Sequence, residues 1–332
     1  MMTSDADHRP FGKTGLSVPP IVFRGDLLEN AARVIPDQTK RVICGEWFQR
    51  VTPPVFIDVN YSDVRDAGLE LLRRTLRRLD VSPDNVVIDL GMKCSAESPS
   101  AIGCDSIHAR CDKACKSLGD AYAPRLVTID ARDAPLTAAT SDADRVHFVK
   151  ATLDAIHTIG ELKSAKRIAG VGIRCSDWRI AKELSDATTL DFVALVGGFT
   201  IMRHPPELVE FLTSLAERQI AVISAGVFHG GFLVGGPKFE ERTISPNAPN
   251  NQSLVAWRKA FASLCHGHGV RPAHACIQFA LSAPGIVAVS LSTTHPDRVA
   301  ENVESVVAKI SNALWRSMQE EGLLAEGIRL PS

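Results

Sequence analysis

Eight short apolar runs alternate with longer helical stretches along nearly the whole chain, and this alternation constrains the fold more than any other feature. The strand-like runs are Pro20–Phe23, Val55–Asp58, Asn85–Leu90, Arg125–Asp130, Ile168–Ile173, Asp191–Val196, Ile220–Ala225 and Ile286–Leu291. The helix-like segments are Asp37–Val51, Asp66–Leu79, Cys104–Leu118, Asp142–Ser164, Asp177–Ser185, Pro205–Arg218, Ser253–His268 and Pro296–Ile310. Several open with Asp or Ser at the cap or with Pro in the first turn, as helix starts should. Strands alternating with helices imply βαβ units and a parallel sheet. Eight such units imply a closed barrel, so the expected fold class is α/β, a (β/α)₈ TIM barrel.

Three segments fall outside the repeat. Residues 10–18 hold a glycine-containing turn between short apolar pieces, read as an N-terminal hairpin plugging the barrel bottom. The stretch Asn312–Leu324 reads as an extra C-terminal amphipathic helix. The longest irregular loop, Gly230–Asn251, follows the seventh strand on the face where barrel active sites form, which gives it a role toward substrate or cofactor. The expected organisation is a flexible N-terminus over 1–9, one barrel domain over 10–325 and a tail over 326–332.

Composition removes several function classes. With 332 residues, a net charge of −1 and 45% hydrophobic residues, the chain matches one large globular domain. The near-neutral balance and the lack of a basic stripe argue against nucleic-acid binding. No apolar run approaches the roughly 20 residues of a membrane helix. The polar, acidic start lacks the features of a signal peptide, so a cytoplasmic protein is expected. Eight cysteines are present, and reduced thiols are the default without a secretory signal. Cys104, His108, Cys111 and Cys115 share a helical face, but structural zinc sites usually draw ligands from two elements. The expectation is therefore a buried stripe and no metal.

The stretch Val55-Phe56-Ile57-Asp58-Val59-Asn60-Tyr61 carries the first chemistry. A carboxylate stands where a buried strand should surface, with a tyrosine three residues on. An Asp and a Tyr at the carboxyl end of a barrel strand are parts for proton transfer to a carbonyl.

Taken in order, the motifs resemble the aldo-keto reductases, and within them the sugar 1-dehydrogenase branch that includes D-arabinose and L-galactose dehydrogenases. The matching pieces are Phe11–Val18, Phe56-Ile57-Asp58, Gly170-Val171-Gly172, Phe199–Leu208, Gly226–Leu233 and His295–Asn302. The resemblance implies a barrel that binds NADP or NAD across its carboxyl-terminal face and moves a hydride to or from a carbonyl or lactol carbon. In that family Tyr is the acid/base, Lys lowers its pKa, Asp holds the Lys, and His orients the substrate oxygen.

Carried over by position, Asp58 matches the family Asp. The family Tyr position is Asp63, with Tyr61 two residues earlier. The family Lys position is Gly91, with Lys93 two residues later, and the family His position is Asp130. Arg298, Glu301 and Asn302 match contacts to the adenosine half of the cofactor. Ser292 stands where the family has a further cation, and Phe228 lies in the kept loop after strand seven. Arg24, Arg174 and His229 are the expected substrate-side residues.

Three functions follow from this altered tetrad. The first is an NAD(P)-dependent oxidoreductase acting on a small carbonyl or sugar-lactol substrate through Tyr61 and Lys93. The second is non-redox acid/base catalysis (cyclisation, isomerisation or dehydration) by Asp58, Asp63, Asp89 and Asp130, since carboxylates in unlike environments divide acid and base roles. The third is an inactive binding protein. The expected partner is a small molecule, and the oligomeric state is undetermined.

Overall fold

In the computed structural model, residues 3–4, 7–28, 34–61, 67–93, 104–132 and 141–331 are described. A two-stranded hairpin comes first, β1 (Arg9–Pro10) and β2 (Ser17–Val18). The barrel strands are β3 (Ile21–Arg24), β4 (Val55–Tyr61), β5 (Val86–Lys93), β6 (Leu126–Asp130), β7 (Gly170–Cys175), β8 (Phe192–Val196), β9 (Ala221–Ala225) and β12 (Ile286–Leu291). They close in the order β12-β3-β4-β5-β6-β7-β8-β9, every pair parallel. This is the expected (β/α)₈ barrel.

The outer layer contains α1 (Asp37–Arg50), α2 (Ala67–Arg78), α3 (Cys104–Leu118), α4 (Asp142–Ser164), α5 (Trp178–Ala187), α6 (Pro206–Glu217), α7 (Gln252–Gly267), α8 (Pro272–Leu281), α9 (Pro296–Val306) and α10 (Asn312–Glu320). Their starts follow local chemistry. Ser141 caps α4 by accepting from the Asp144 amide at 3.2 Å, and Asp177 caps α5 through the Arg179 amide at 2.8 Å. Pro stands in the first turn of α6, α8 and α9, where no intrahelical donor is lost. On α2 the apolar stripe comprises Leu69, Leu72 and Leu76, all buried.

Successive side chains of a strand point to opposite faces, so every second residue enters the barrel. The lower interior is apolar, with Phe56, Val87, Leu126, Phe192, Ile223 and Ala288 in one cluster. The N-terminal hairpin seals that end. Phe11 is fully buried, its ring 5.5 Å from Phe56 and 5.1 Å from Phe192. Burying such a ring contributes about 1.5–3 kcal/mol. Gly12 makes the close approach possible. Its φ is +56°, and a Cβ there would lie 2.8 Å from the carbonyl oxygens of Asp191 and Gln219.

Several expectations need correction. The ladder between β4 and β5 runs through seven register pairs, so β4 continues past Asp58 to Tyr61 and β5 past Leu90 to Lys93. Helix α8 is absent from the sequence-based series. Its residues Ala275, Cys276, Ile277, Phe279, Ala280 and Leu281 are all buried, so it lacks the polar stripe that marks a surface helix. The Gly230–Asn251 loop is partly regular, with a hairpin of β10 (Lys238–Phe239) and β11 (Arg242–Thr243). Helix α9 stops at Val306 rather than Ile310, and α10 stops at Glu320, just before Gly322 at φ +67°.

Candidate functional site

Strand register brings a charged cluster to the carboxyl end of the barrel. Asp58 on β4 pairs in register with Arg24 on β3 and with Asp89 on β5, while Asp130 on β6 pairs with Arg174 on β7. Arg174 is the hub. Its Nη2 donates to Asp58 Oδ1 at 2.6 Å and lies 3.9 Å from Asp89 Oδ2. Its Nη1 donates to Asp130 Oδ2 at 3.2 Å and to Asn60 Oδ1 at 3.0 Å. Arg174 is only 1% exposed, and Asp58, Asp89 and Asp130 are 5%, 2% and 5% exposed.

A second tier lies nearer solvent. Arg24 clamps Asp26 through Nε at 2.7 Å and Nη2 at 2.9 Å. Asn60 donates to the same carboxylate at 3.0 Å, which links the tiers. Arg132 grips Asp130 through Nε at 2.8 Å and Nη2 at 2.6 Å, and about a third of its side chain is exposed. Fork-to-fork pairing of this kind fixes geometry as well as charge.

The carboxylates do not titrate alike. Burial alone would raise Asp130 and Asp26, but hydrogen bonds and charge from the adjacent arginines outweigh it and hold both below the ordinary carboxylate value. Asp89 goes the other way. Burial and the neighbouring Asp58 charge push it up to about 7, against the attraction of Arg174. Both its oxygens lie on Thr128 Oγ1, at 2.8 and 2.7 Å. The folded state thus keeps a proton on Asp89 that an unfolded aspartate releases near pH 4. Through this group, stability is expected to fall as pH rises from about 4 to 7. Asp89→Asn is expected to flatten that slope and to raise the melting temperature at pH 8 relative to the parent. An unchanged pH profile of melting would show that Asp89 is ionised in the fold.

Gly91, also on the inner face of β5, leaves a gap that neighbours fill. A Cβ on Gly91 would meet Asn60 Oδ1 at 2.7 Å and Arg174 Nη1 at 3.1 Å. The Asn60 amide oxygen and the guanidinium from β7 therefore crowd the place where a side chain from position 91 would begin. Lys93 ends β5 in an exposed position, in register with Asp130. The backbone of Tyr61 closes β4 opposite Met92, while its side chain and all of Asp63 lie outside the described residues.

The other half of the mouth is made of small residues. Val196 and Ala225 end β8 and β9, and Gly197 follows at φ +66°. On β12, Ser290 shares the inner face with Ala288; its Oγ is buried and has no hydrogen-bond partner. Ser292 is exposed just past that strand. Arg298 lies in the first turn of α9 and pairs with Glu301 at 3.1 Å, both on the surface, with Asn302 half-buried beside them. An orphaned hydroxyl facing a wall of small side chains, with a cation at a helix N-terminus, fits a planar ring tethered to phosphates. No side chain at Val196 or Gly197 can hold a carboxamide.

His229 is drawn into the scaffold. It is 1% exposed, stacked on Phe239 at 4.7 Å, with Nε2 2.8 Å from Thr200 Oγ1. Burial and the nearby Arg203 lower its pKa to about 4, so the ring is neutral at physiological pH. Phe228, next to it, is half-buried. Just before Pro205, the cap of α6, His204 bonds the Thr200 carbonyl at 3.2 Å and accepts from the Ala325 amide at 3.1 Å.

Of the sequence-derived candidates, Arg24, Asp58, Asp89, Asp130 and Arg174 meet in one network. Arg298, Glu301, Asn302 and Ser292 gather at the β12–α9 edge. Asp26, Asn60, Thr128 and Arg132 were not anticipated. Asn60 stands two residues beyond Asp58 on the same face of β4, and Arg132 two residues beyond Asp130 just past the end of β6; that spacing is the signal that would have found them. Among the described residues, no group of three or more His, Cys, Asp or Glu could hold a metal ion, and no helix is long and apolar enough to cross a membrane. The side chain of Cys104 lies outside the described residues, Cys111 is buried and Cys115 half-buried, with His108 3.8 Å from Glu161.

Comparison with known proteins adds three findings. A profile of the Aldo/keto reductase family matches residues 49–321. A pyridoxal 4-dehydrogenase from Microbacterium luteolum is 26% identical over 165 residues, which is 50% of this chain and 47% of that protein. The match thus spans about half the length of that relative. Among solved structures, an aldo-keto reductase from Bacillus halodurans in its holo form superposes with a TM-score of 0.69 at 15% identity, covering 97% of this chain and 98% of that one. A thermostable aldo-keto reductase in complex with the inhibitor epalrestat gives 0.66 at 13% identity, covering 94% and 98%. At these identities the two structures establish the shared barrel fold.

Proposed function

Because the chain belongs to the aldo/keto reductase family, we propose that it is an NADP- or NAD-dependent oxidoreductase acting on a small carbonyl or lactol substrate. The observation that carries this reading is Asp58. It lies on the inner face of β4, at the position that the resemblance gives to the family Asp, buried and paired with a cation 2.6 Å away, at the end of the barrel where the strands present their carboxyl ends.

The cofactor would lie along the small-residue half of the mouth. Its adenosine end would meet Arg298, Glu301, Asn302 and Ser292, and its ring end would come near Ser290 and Phe228. When bound, the nicotinamide supplies or accepts the hydride. The chain's own residues manage the proton. Tyr61 is the proposed acid/base toward the substrate oxygen, and Lys93 is the proposed neighbouring cation that favours its phenolate. Arg24 and Arg132 are half-buried and face the mouth as donors able to orient a polar substrate. Pyridoxal, named in the relative's activity, is an aldehyde that closes to a cyclic hemiacetal, the same functional class as a sugar lactol. The sugar 1-dehydrogenase branch remains part of this proposal.

Titration with NADPH and NADH, followed by protein fluorescence, tests the reading. Sub-millimolar quenching is expected, together with an aldehyde- or lactol-dependent change in reduced-nicotinamide absorbance. Tyr61→Phe is expected to lower that turnover by about 10²–10⁴-fold. A protein that binds neither nucleotide at saturating concentration is not this oxidoreductase.

One observation favours a second reading, non-redox acid/base catalysis. Asp89 is pushed up and Asp130 down within one cluster, the division that separates a proton donor from a proton acceptor. It requires turnover without nucleotide, abolished by Asp130→Asn.

A further inference from the structure

We propose that Arg174 is the positioning cation of the reaction centre. It reaches in from β7 and fills, above Gly91, the volume that a cation carried on β5 would use. This deepens the oxidoreductase reading and rests on it.

Three observations carry the proposal. First, Gly91 lies on the inner face of β5 between Asp89 and Lys93, and a Cβ there would come 3.1 Å from Arg174 Nη1. A side chain at position 91 would therefore press first on the Asn60 amide oxygen, at 2.7 Å, and then on the guanidinium. Second, the guanidinium takes Asp58 on one nitrogen at 2.6 Å and both Asp130 and Asn60 on the other, at 3.2 and 3.0 Å. An ammonium is a point charge, whereas the planar fork ties β4 and β6 to β7 at once. Third, Nη1 can bond only the oxygen of the Asn60 amide, which leaves the Asn60 nitrogen to donate to Asp26 at 3.0 Å. Arg174 thereby sets the amide of the residue that immediately precedes Tyr61.

Arg174 is buried and does not touch the mouth directly, so it acts through Asp58 and Asn60. It orients the end of β4 and keeps a fixed positive charge beneath it. A guanidinium does not deprotonate in the working pH range, so this charge persists where a buried lysine would lose its proton.

A cation transplant tests this. Wild type, Arg174→Ala, Arg174→Gln and the double variant Gly91→Lys/Arg174→Ala are compared for three properties: NADPH and NADH affinity, steady-state turnover of pyridoxal with NAD⁺ or NADP⁺, and melting temperature. The single variants are expected to lose at least 100-fold in kcat, with nucleotide affinity within threefold of wild type. The double variant is expected to recover at least tenfold over Arg174→Ala. Where the single variants fail to fold, a folded double variant with at least a tenth of wild-type kcat supports the proposal. A single variant that folds and keeps kcat within threefold overturns it. So does a double variant that stays unfolded, or that regains melting temperature without turnover. A wild type that binds no nucleotide fails at the first measurement, which sinks the oxidoreductase reading and this proposal with it.

Discussion

Arg174→Met is expected to lower the free energy of unfolding by about 3–5 kcal/mol at pH 7, because it leaves the carboxylates that Arg174 neutralises buried without their cation. The stability of a domain is about 5–15 kcal/mol in total, so this variant is expected to lie near the edge of folding. Burial alone would lower the Arg174 pKa, and the charges of Asp58, Asp130 and Asp89 reverse this and raise it further above its ordinary value. That reversal marks a cation whose partners outweigh its desolvation. Asp130 retains Arg132, and Asp89 can hold its own proton, so the penalty concentrates on Asp58. Urea denaturation at pH 7 gives the measurement. A loss below 1 kcal/mol would show that the cluster is not held by Arg174. Removing a half-exposed surface pair such as Lys182 and Asp186 is expected to change stability little by comparison.

Gly172→Ala is the second large effect, expected to cost about 2–3 kcal/mol through overpacking. A Cβ at Gly172 would fall 2.4 Å from two carbons of the Phe192 ring. That ring has no easy retreat, since it is fully buried and lies against Phe11 of the hairpin at 5.1 Å. Relief requires shifting the hairpin or the end of β8. The double variant Gly172→Ala/Phe192→Leu should recover part of the loss, since the smaller side chain opens the space that the methyl group needs. If Gly172→Ala unfolds within 1 kcal/mol of the parent, Phe192 does not press on β7 as described.

The barrel was legible because the strands are short, mostly apolar runs and most helices between them show a one-sided stripe. Helix α8 escaped because burial on several sides erases the periodicity on which such a reading depends. The ends of β4 and β5 were set short for a related reason. Asn60, Gly91 and Lys93 continue the strands with residues of low strand preference, and the ladder between the two strands overrides that preference. Within the site, the residue-by-residue reading found Asp58, Asp130, Arg24 and Arg174 but could not pair them. Asp58 and Arg174 are 116 positions apart in sequence. Closure of the barrel sets them within a hydrogen bond, and only the register of four successive strands, β4 to β7, records this. The exchange at Gly91 was invisible for the same reason, since a glycine in a list of residues does not say which side chain uses the space.

The hairpin at the amino end acts as a stopper. Phe11 and Val18 close the lower opening among large apolar side chains, so among the described residues the way into the interior lies on the side of the charged cluster. Two molecules sharing that chamber must enter and leave through the same doorway. If the deeper one enters first, it departs last, and the shallower one must clear the path beforehand. A strict order of arrival and release would then come from the plumbing of the barrel, whichever residues line the rim.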